Sequence, residues 1–404
     1  MLENICDNII NQRGEYLMNN FQFYNPTKII FGKGEVEKVG KEVSNYGKNV
    51  LLTYGGGSIK KFGLYDKVIS LLKEKDLNIF ELGGIESNPR LNSVQKGVEI
   101  CKKNDIDFIL AVGGGSTIDA SKAISVGYYH QGDLWEMIEN DGDFEQGIPL
   151  GTILTLAATG SEMNANAVIT NWDKKEKKAI HGSKYPNFSI LDPENTYTVP
   201  KNYTVFGIVD IAAHVFEQYF SHTESTNLVD SWAEDILKNL INNSSTVLKD
   251  PKNYEARADI MLAGTMALNG LIGMGKEEDW ASHAIEHAVS AVYDIPHGAG
   301  LSIIFPNWMK YVLDEGEDKF AKYGIEVFDI NPEGKSDKEI ALEAISETRK
   351  WFNDMDAPAT LSYYDISKED LELMAEKAVE NGKIGSYKKL NKDDVLNILE
   401  MSFA

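Results

Sequence analysis

The first part of the chain alternates short apolar runs with amphipathic segments. Apolar runs of the length of a buried strand occupy 49–54, 78–82 and 107–112. Segments with helical spacing of their apolar positions lie between and after them, at 64–75, at 94–104 and after 116. Strands that alternate with helices at this spacing predict a parallel sheet with crossover helices.

Beyond about residue 200 the pattern is helical almost throughout. Helical periodicity is found at 207–220, 228–248, 254–275, 279–293, 338–353 and 368–380. We therefore expect an N-terminal α/β domain of Rossmann-like type at 18–195 and an all-helical C-terminal domain at 196–404. Residues 1–17 are interpreted as an extension, because Met18 opens a more natural start.

Composition excludes several classes of function. The chain has 404 residues, 43% of them hydrophobic and 25% charged, which is the balance of a globular protein. Its net charge of −22 disfavours binding to nucleic acid or to anionic membranes. No apolar run is long enough to cross a bilayer, and the N-terminus lacks the features of a secretory signal. With only Cys6 and Cys101 as thiols, these observations predict a cytoplasmic protein.

Two glycine-rich loops each separate a predicted strand from a predicted helix. The first glycine loop consists of Gly55, Gly56, Gly57 and Ser58. The second consists of Gly113, Gly114, Gly115 and Ser116. Missing side chains allow backbone N–H groups to approach phosphate oxygens, and the helix start adds positive potential. One such loop could be a tight turn alone. Two of them, with a third polar loop at 157–162, favour a dinucleotide site.

The first glycine loop also bears on the choice of dinucleotide. Sites specific for NAD commonly place an acidic side chain against the adenosine ribose. This loop has none, and Lys60 or Lys61 could neutralise a 2′-phosphate. We therefore expect NADP as the cofactor, with NAD as the alternative, since a loop of this kind could also accept both.

The histidines suggest a metal site in the helical part. Asp210 and His214 are four residues apart in one predicted helix, and His283 and His287 are four apart in another. This spacing places each pair on one helix face. His297 follows in a turn. One carboxylate with several imidazoles suits a divalent transition metal such as Fe²⁺ or Zn²⁺. Any one of these histidines alone would more often be a structural residue.

Several longer motifs together resemble the iron-containing (group III) alcohol dehydrogenases. The motifs are FGKGEVEKVG at 31–40, GGGSTIDASK at 113–122, TGSEMN at 159–164, LDP at 191–193, DxxxHxxEQY at 210–219 and HxxxHxxSxxxxxxHGxGL at 283–301. YGGGSIKKFGLYDKV at 54–68 and IIFPNWM at 303–309 are most similar to the butanol dehydrogenase and broad-range aldehyde reductase branch.

The resemblance implies a role for individual residues. It implies that the metal ligands are Asp210, His214, His283 and His297, and that His287 faces the substrate. It implies cofactor contacts from Gly113, Gly114, Gly115, Ser116, Asp119, Thr155, Thr159, Ser161, Lys177 and Leu191. Many members of the family carry an acidic residue at the position of Gly56 and prefer NAD, although members of this branch with a similar glycine loop are described as NADH enzymes.

The expected function is reversible hydride transfer between a primary alcohol such as butanol and its aldehyde. A proton relay through His287 is one expectation; the nicotinamide ribose hydroxyl and water are the alternative. A homo-oligomer, most simply a dimer, is expected. Two other functions remain open: a lyase of the dehydroquinate synthase type, which also uses NAD and a divalent metal, and a non-catalytic assembly role. The lyase needs basic side chains for a phosphorylated acid substrate, and residues 203–216 and 279–305 contain no Lys or Arg.

Overall fold

A parallel β-sheet organises the N-terminal half of the chain. The structure is a computed structural model that describes residues 17–140, 142, 144 and 146–403, so Cys6 and all but the last residue of the expected extension lie outside it. The strands are β1 (Lys28–Phe31), β2 (Asn49–Tyr54), β3 (Asn78–Gly83), β4 (Phe108–Gly113), β5 (Leu150–Leu154), β6 (Ala167–Asn171), β7 (Glu176–Ile180) and β8 (Phe188–Leu191). Within the described residues, six strands form one sheet in the order β1-β8-β5-β4-β2-β3.

Helices cover both faces of this sheet. They are α1 (Val39–Val43), α2 (Ser58–Lys61), α3 (Leu64–Lys73), α4 (Leu91–Asn104), α5 (Gly115–Gly127) and α6 (Leu134–Glu139). Along β2, Leu51 packs with α4 and α5, whereas Val50 and Leu52 pack with α1 and α3. A strand buried on both faces explains why the apolar runs are continuous rather than alternating.

The C-terminal half is helical. Its helices are α7 (Lys201–Tyr219), α8 (Asn227–Lys249), α9 (Tyr254–Ala267), α10 (Ala281–Tyr293), α11 (His297–Val312), α12 (Glu317–Phe328), α13 (Asp337–Asp354), α14 (Leu371–Ala378) and α15 (Lys392–Met401). Short 3₁₀ turns lie at Glu35–Lys38, Ser161–Met163, Pro193–Thr196, Leu313–Glu315, Leu361–Tyr364 and Lys368–Asp370. An apolar core with Phe216, Phe220 and Trp308 at its centre joins these helices.

The predicted fold class is confirmed, with two differences. The predicted helix at 254–275 ends at Ala267, because a loop with glycine at positive φ, at Gly270 and Gly275, follows it. Strands β6 and β7 form an antiparallel hairpin outside the main sheet, which was not predicted. None of the helices in the part of the chain that the structure describes has the length and apolarity needed to cross a bilayer.

Candidate active site

The second glycine loop has the geometry of an anion-binding helix start. Gly113 ends β4, and Gly114 is the N-cap of α5 with no capping side chain, so the first N–H groups of the helix have no competing acceptor there. Close packing also requires glycine: a Cβ on Gly113 would lie 2.4 Å from the hydroxyl of Thr117, and one on Gly115 would lie 2.3 Å from that of Thr159.

The first glycine loop is less constrained. Gly57 has φ +102°, a conformation that favours glycine. A Cβ on Gly56 would meet no heavy atom within 4 Å. Nearby, the ammonium group of Lys60 lies over the rings of Tyr54 and Tyr65 and 3.9 Å from a carboxylate oxygen of Glu81. The positive charge of Lys60, which could neutralise a 2′-phosphate, is therefore already partly balanced by Glu81.

Two cavities contain most of the predicted site residues. One of about 280 Å³ is lined by Ser58, Gly114 and Thr155. The other, of about 500 Å³, lies between the α/β domain and the helices and is lined by Ser116, Asp119, Thr159, Ser161, Lys177, His214, His283, His287 and His297. Leu191 lines neither; its side chain is fully buried in a small apolar cluster with Met261. Its contact with a cofactor stays a prediction.

The candidate metal ligands converge beside the second cavity. Ligand atoms of Asp210, His283 and His297 all lie within 4.8 Å of one another. Oδ1 of Asp210 is 3.5 Å from Nε2 of His297 and 3.8 Å from Nε2 of His214. The ring of His214 stacks on that of His283 with centroids 4.9 Å apart. Side chains from α7, α10 and the start of α11 thus surround one point.

The protonation and bonding of these groups suit a divalent cation. Oδ1 of Asp210 and Nε2 of His283 are buried without a hydrogen-bond partner among the described residues, which is costly unless a cation binds there. Burial lowers the pKa of His283 to about 3 and the pKa of His214 and His297 well below the usual range, so the imidazoles are neutral. Burial, with the charge of Glu286, raises the pKa of Asp210 to about 8. A bound cation would stabilise the ionised carboxylate of Asp210 and so offset the cost of burying it.

Two buried carboxylates orient the imidazoles. Oε1 of Glu217 accepts the Nδ1–H of His283 at 2.8 Å and its backbone N–H at 3.0 Å, while Oε2 accepts the N–H of Trp280 at 2.8 Å. Glu286 accepts the Nδ1–H of His297 and a hydrogen bond from Ser290. Each contact turns Nε2 toward the centre, as carboxylates beside metal-binding histidines do.

Lys177 brings a positive charge to this centre from the α/β domain. Its ammonium group lies 3.3 Å from Glu286 and 3.5 Å from Nδ1 of His297, with the side chain only 4% exposed. Glu286, His287 and His297 could by themselves form a second metal-binding group, but the ammonium already occupies that position. The sequence argument that no basic residue lies near the ligands is therefore wrong for the folded chain, although Glu286 neutralises this charge.

A buried lysine that the sequence analysis left without a role connects the cofactor side of the cavity. Lys122 on α5 is fully buried and donates to Ser161 Oγ, Asn164 Oδ1 and the carbonyl of Asn166. Ser161 in turn donates to Asp119 Oδ1 at 2.6 Å. Burial lowers the pKa of Lys122 to about 8. Its sequence signal was a lysine three residues after Asp119, in a helix whose other side chains are small polar or apolar.

Family models match both halves of the chain. Residues 26–193 match the model of the iron-containing alcohol dehydrogenases, and residues 204–403 match the model of the C-terminal region of the same family. The chain belongs to the iron-containing alcohol dehydrogenase family. It is therefore an oxidoreductase that interconverts alcohols and aldehydes with NAD(P)(H), and the predicted enzyme class is confirmed.

Similar proteins agree with this assignment. The enzyme is 54% identical to the probable NADH-dependent butanol dehydrogenase 2 of Bacillus subtilis, over 95% of this chain and all of that protein. It is 38% identical to the NADPH-dependent aldehyde reductase YqhD of Escherichia coli, over 90% and 94% of the two chains. A crystal structure described as NADH-dependent butanol dehydrogenase A from Thermotoga maritima superposes with a TM-score of 0.91, at 38% identity, over 96% of this chain and all of that one.

Proposed function

We propose that this enzyme reduces short-chain aldehydes, and oxidises the matching primary alcohols, in the 500 Å³ cavity, with Asp210, His214, His283 and His297 holding Fe²⁺ or Zn²⁺. One observation carries the proposal: buried, unpartnered ligand atoms lie beside the cavity that residues of the dinucleotide loops also line. A bound divalent ion supplies a Lewis acid for the substrate oxygen.

The groups around the metal position would bind the cofactor and enclose the substrate. The start of α5 would bind the cofactor diphosphate through its free N–H groups. Asp119 and Ser161, fixed by Lys122, would form the polar wall against the nicotinamide. Val168, Leu268 and the indole of Trp280 would enclose the substrate carbon chain and exclude water.

His287 is the proposed proton carrier. It lines the same cavity, and its ring centroid lies 5.4 Å from that of His297. Burial and the charge of Lys177 lower the pKa of His287 well below the usual range, so its resting form is neutral. In alcohol oxidation the neutral ring can accept the hydroxyl proton and pass it to water. The ribose hydroxyl with water remains the alternative.

For the cofactor, we propose that the enzyme accepts both NADPH and NADH with little discrimination. The open surroundings of Gly56 support NADPH, since nothing there opposes a 2′-phosphate. The partial neutralisation of Lys60 by Glu81 argues against strong selection for that phosphate. Relatives are named for each cofactor: NADH for the Bacillus subtilis protein and NADPH for the Escherichia coli reductase.

A cytoplasmic dimer, with domains at 18–195 and 196–404, is also proposed. Strand β1 is an edge of the sheet, and the segment before it exposes Phe21, Phe23 and Tyr24 by 53%, 44% and 75%. An exposed aromatic group beside an open strand edge favours association with a second copy. Tyr24→Ser should shift the mass measured by light scattering from dimer to monomer; an unchanged mass would remove this surface from the interface.

Two measurements test the proposed function. Anaerobic reduction of butanal by NADPH and by NADH, with protein loaded with Fe²⁺ or Zn²⁺, should show metal-dependent turnover. His283→Ala should lose bound metal and activity while its circular dichroism stays unchanged. His222→Ala is the matched control, because His222 stacks on Tyr387 far from the ligand set and should keep its metal. A wild-type chain without turnover, or a His283→Ala variant with normal metal content, would refute the proposal.

A further inference from the structure

The four candidate metal ligands differ in which part of the fold positions them. Asp210 and His214 lie on α7, and His283 lies on α10, where Glu217 of α7 orients it. These three are thus positioned within the helical region. His297 instead begins α11, directly after the loop 294–296, and this loop bonds to the α/β domain as well as to Ser290 of α10.

Two residues after β3 hold the backbone of that loop. The amide of Asn88 donates to Asp294 Oδ1 at 3.0 Å and to the carbonyl of Ile295 at 3.2 Å. Arg90 donates to Asp294 Oδ2 at 2.6 Å, and its guanidinium stacks 4.3 Å above the ring of Trp172. Because its hydrogen bond is charge-assisted and its guanidinium stacks on an aromatic ring, the side chain of Arg90 has little conformational freedom.

A third residue of the α/β domain acts on the His297 ring. Lys177 on the β6–β7 hairpin is paired with Glu286, the carboxylate that accepts the Nδ1–H of His297. Both side chains are nearly or fully inaccessible, at 4% and 0% exposure, so the pair is shielded from competing water. The loop before this ligand and the carboxylate that orients its ring are therefore both contacted from across the domain boundary.

We propose that Asn88, Arg90 and Lys177 are positioning residues for His297, so that the fourth ligand is in place only when the α/β domain is docked on the helices. This inference rests on the proposed metal site. Its consequence is specific: removing the Asn88 or Arg90 contacts should weaken the metal centre through His297 alone, and leave the contributions of Asp210 and His214 unchanged.

The test compares two ion pairs that cross the same boundary. Arg90→Met removes the bond to Asp294 and keeps an apolar side chain on Trp172. Lys178→Met is the matched control: it breaks the 2.8 Å pair between Lys178 and Glu380, which contacts neither the loop 294–296 nor His297. For each, Co²⁺ affinity is measured by chelator competition and the ligand field by the visible absorption of the Co²⁺-loaded protein.

Arg90→Met should weaken Co²⁺ binding about ten-fold and alter the visible spectrum, whereas Lys178→Met changes neither. Arg90→Lys should restore part of the affinity. In a His297→Ala background, Arg90→Met should have no further effect, because the ligand through which it acts is gone. Asn88→Gly should behave like Arg90→Met, since glycine tolerates the positive φ of 52° at position 88.

Three results would overturn the inference: wild-type affinity and spectrum in Arg90→Met, an equal loss in Lys178→Met, or an undiminished effect of Arg90→Met in the His297→Ala background. The proposed function fails separately. A wild-type chain that binds no Co²⁺ would refute the metal site and this inference with it, whereas normal wild-type binding with an unaffected Arg90→Met refutes the inference alone.

Discussion

Replacing Glu217 by glutamine should weaken metal binding while preserving the fold. Glu217 is fully buried and accepts two backbone N–H groups at the start of α10 as well as the Nδ1–H of His283. A glutamine oxygen can still accept both N–H groups of His283, whereas the amide nitrogen cannot accept from Trp280, so the helix start should persist with one hydrogen bond fewer. The bond to the ligand ring changes from charge-assisted to neutral.

The size of the effect follows from that one bond. Hydrogen bonds to a charged group contribute about 1.5–3 kcal/mol and neutral ones about 1 kcal/mol, so the loss is about 0.5–2 kcal/mol. Metal affinity should therefore fall roughly ten-fold, in the range seen when carboxylates behind metal-binding histidines are removed.

The assay is Zn²⁺ competition against a chromophoric chelator, with urea unfolding of the metal-free protein measured in parallel. Glu278→Gln is the matched control, since Glu278 is a half-buried acid that accepts from the indole Nε1 of Trp280 at 2.6 Å and has no hydrogen bond with His283 among the described residues. If Glu217→Gln lowers stability as much as Glu278→Gln does and leaves Zn²⁺ affinity unchanged, the carboxylate supports only the fold and the reasoning fails.

Other perturbations give equally definite expectations. Gly56→Asp should raise the ratio of kcat/KM for NADH over NADPH about ten-fold or more, because its carboxylate would repel the 2′-phosphate, and each pair of like charges ~4 Å apart costs ~1 kcal/mol even in water. Gly56→Asn, which has the same shape without the charge, should not change this ratio. Asp230→Asn should destabilise by about 3 kcal/mol in urea unfolding, since it removes the negative charge that pairs with the ammonium groups of Lys276 and Lys319 at 2.6 Å. Exposed Asp235→Asn should change stability little. Those ammonium groups lower the pKa of Asp230 to about 2, so its contribution is present above pH 4 and lost as pH falls from 4 to 2. His287→Ala should retain metal but change the pH dependence of kcat; an unchanged profile refutes the relay.

The elements that the sequence revealed are those with local signals. Apolar runs closed by Gly-Gly-Gly-Ser marked β2 and β4, and the i, i+4 pairs marked the faces of α7 and α10 whose side chains converge. Helix spacing alone indicates which side chains share a face, and strand–glycine–helix units indicate where a phosphate fits. Both are properties of a few consecutive residues, which explains why they were readable.

Features that depend on long-range contacts were missed. Strand β7 has an ordinary polar sequence, and nothing in EKKAI indicates that Lys177 would be buried beside Glu286, 109 residues away. Glu286 itself, in the apolar stretch of α10, carried a weak signal, since an isolated acid on a buried helix face needs a partner. The short reach of sequence patterns also hid Asn88 and Arg90, whose partners lie 204–207 residues further on.

The charges around the candidate centre explain why a divalent cation fits it. Asp210, Glu217 and Glu286 are buried carboxylates, and Lys177 is the buried cation paired with one of them. With all four ionised, the group carries two uncompensated negative charges, because the imidazoles are neutral. Burial raises the pKa of both Asp210 and Glu217 to about 8, with a further contribution from the charge of Glu286 at Asp210 and of Glu278 at Glu217. One divalent ion would neutralise the group, so the same burial that disfavours the metal-free anions favours metal binding.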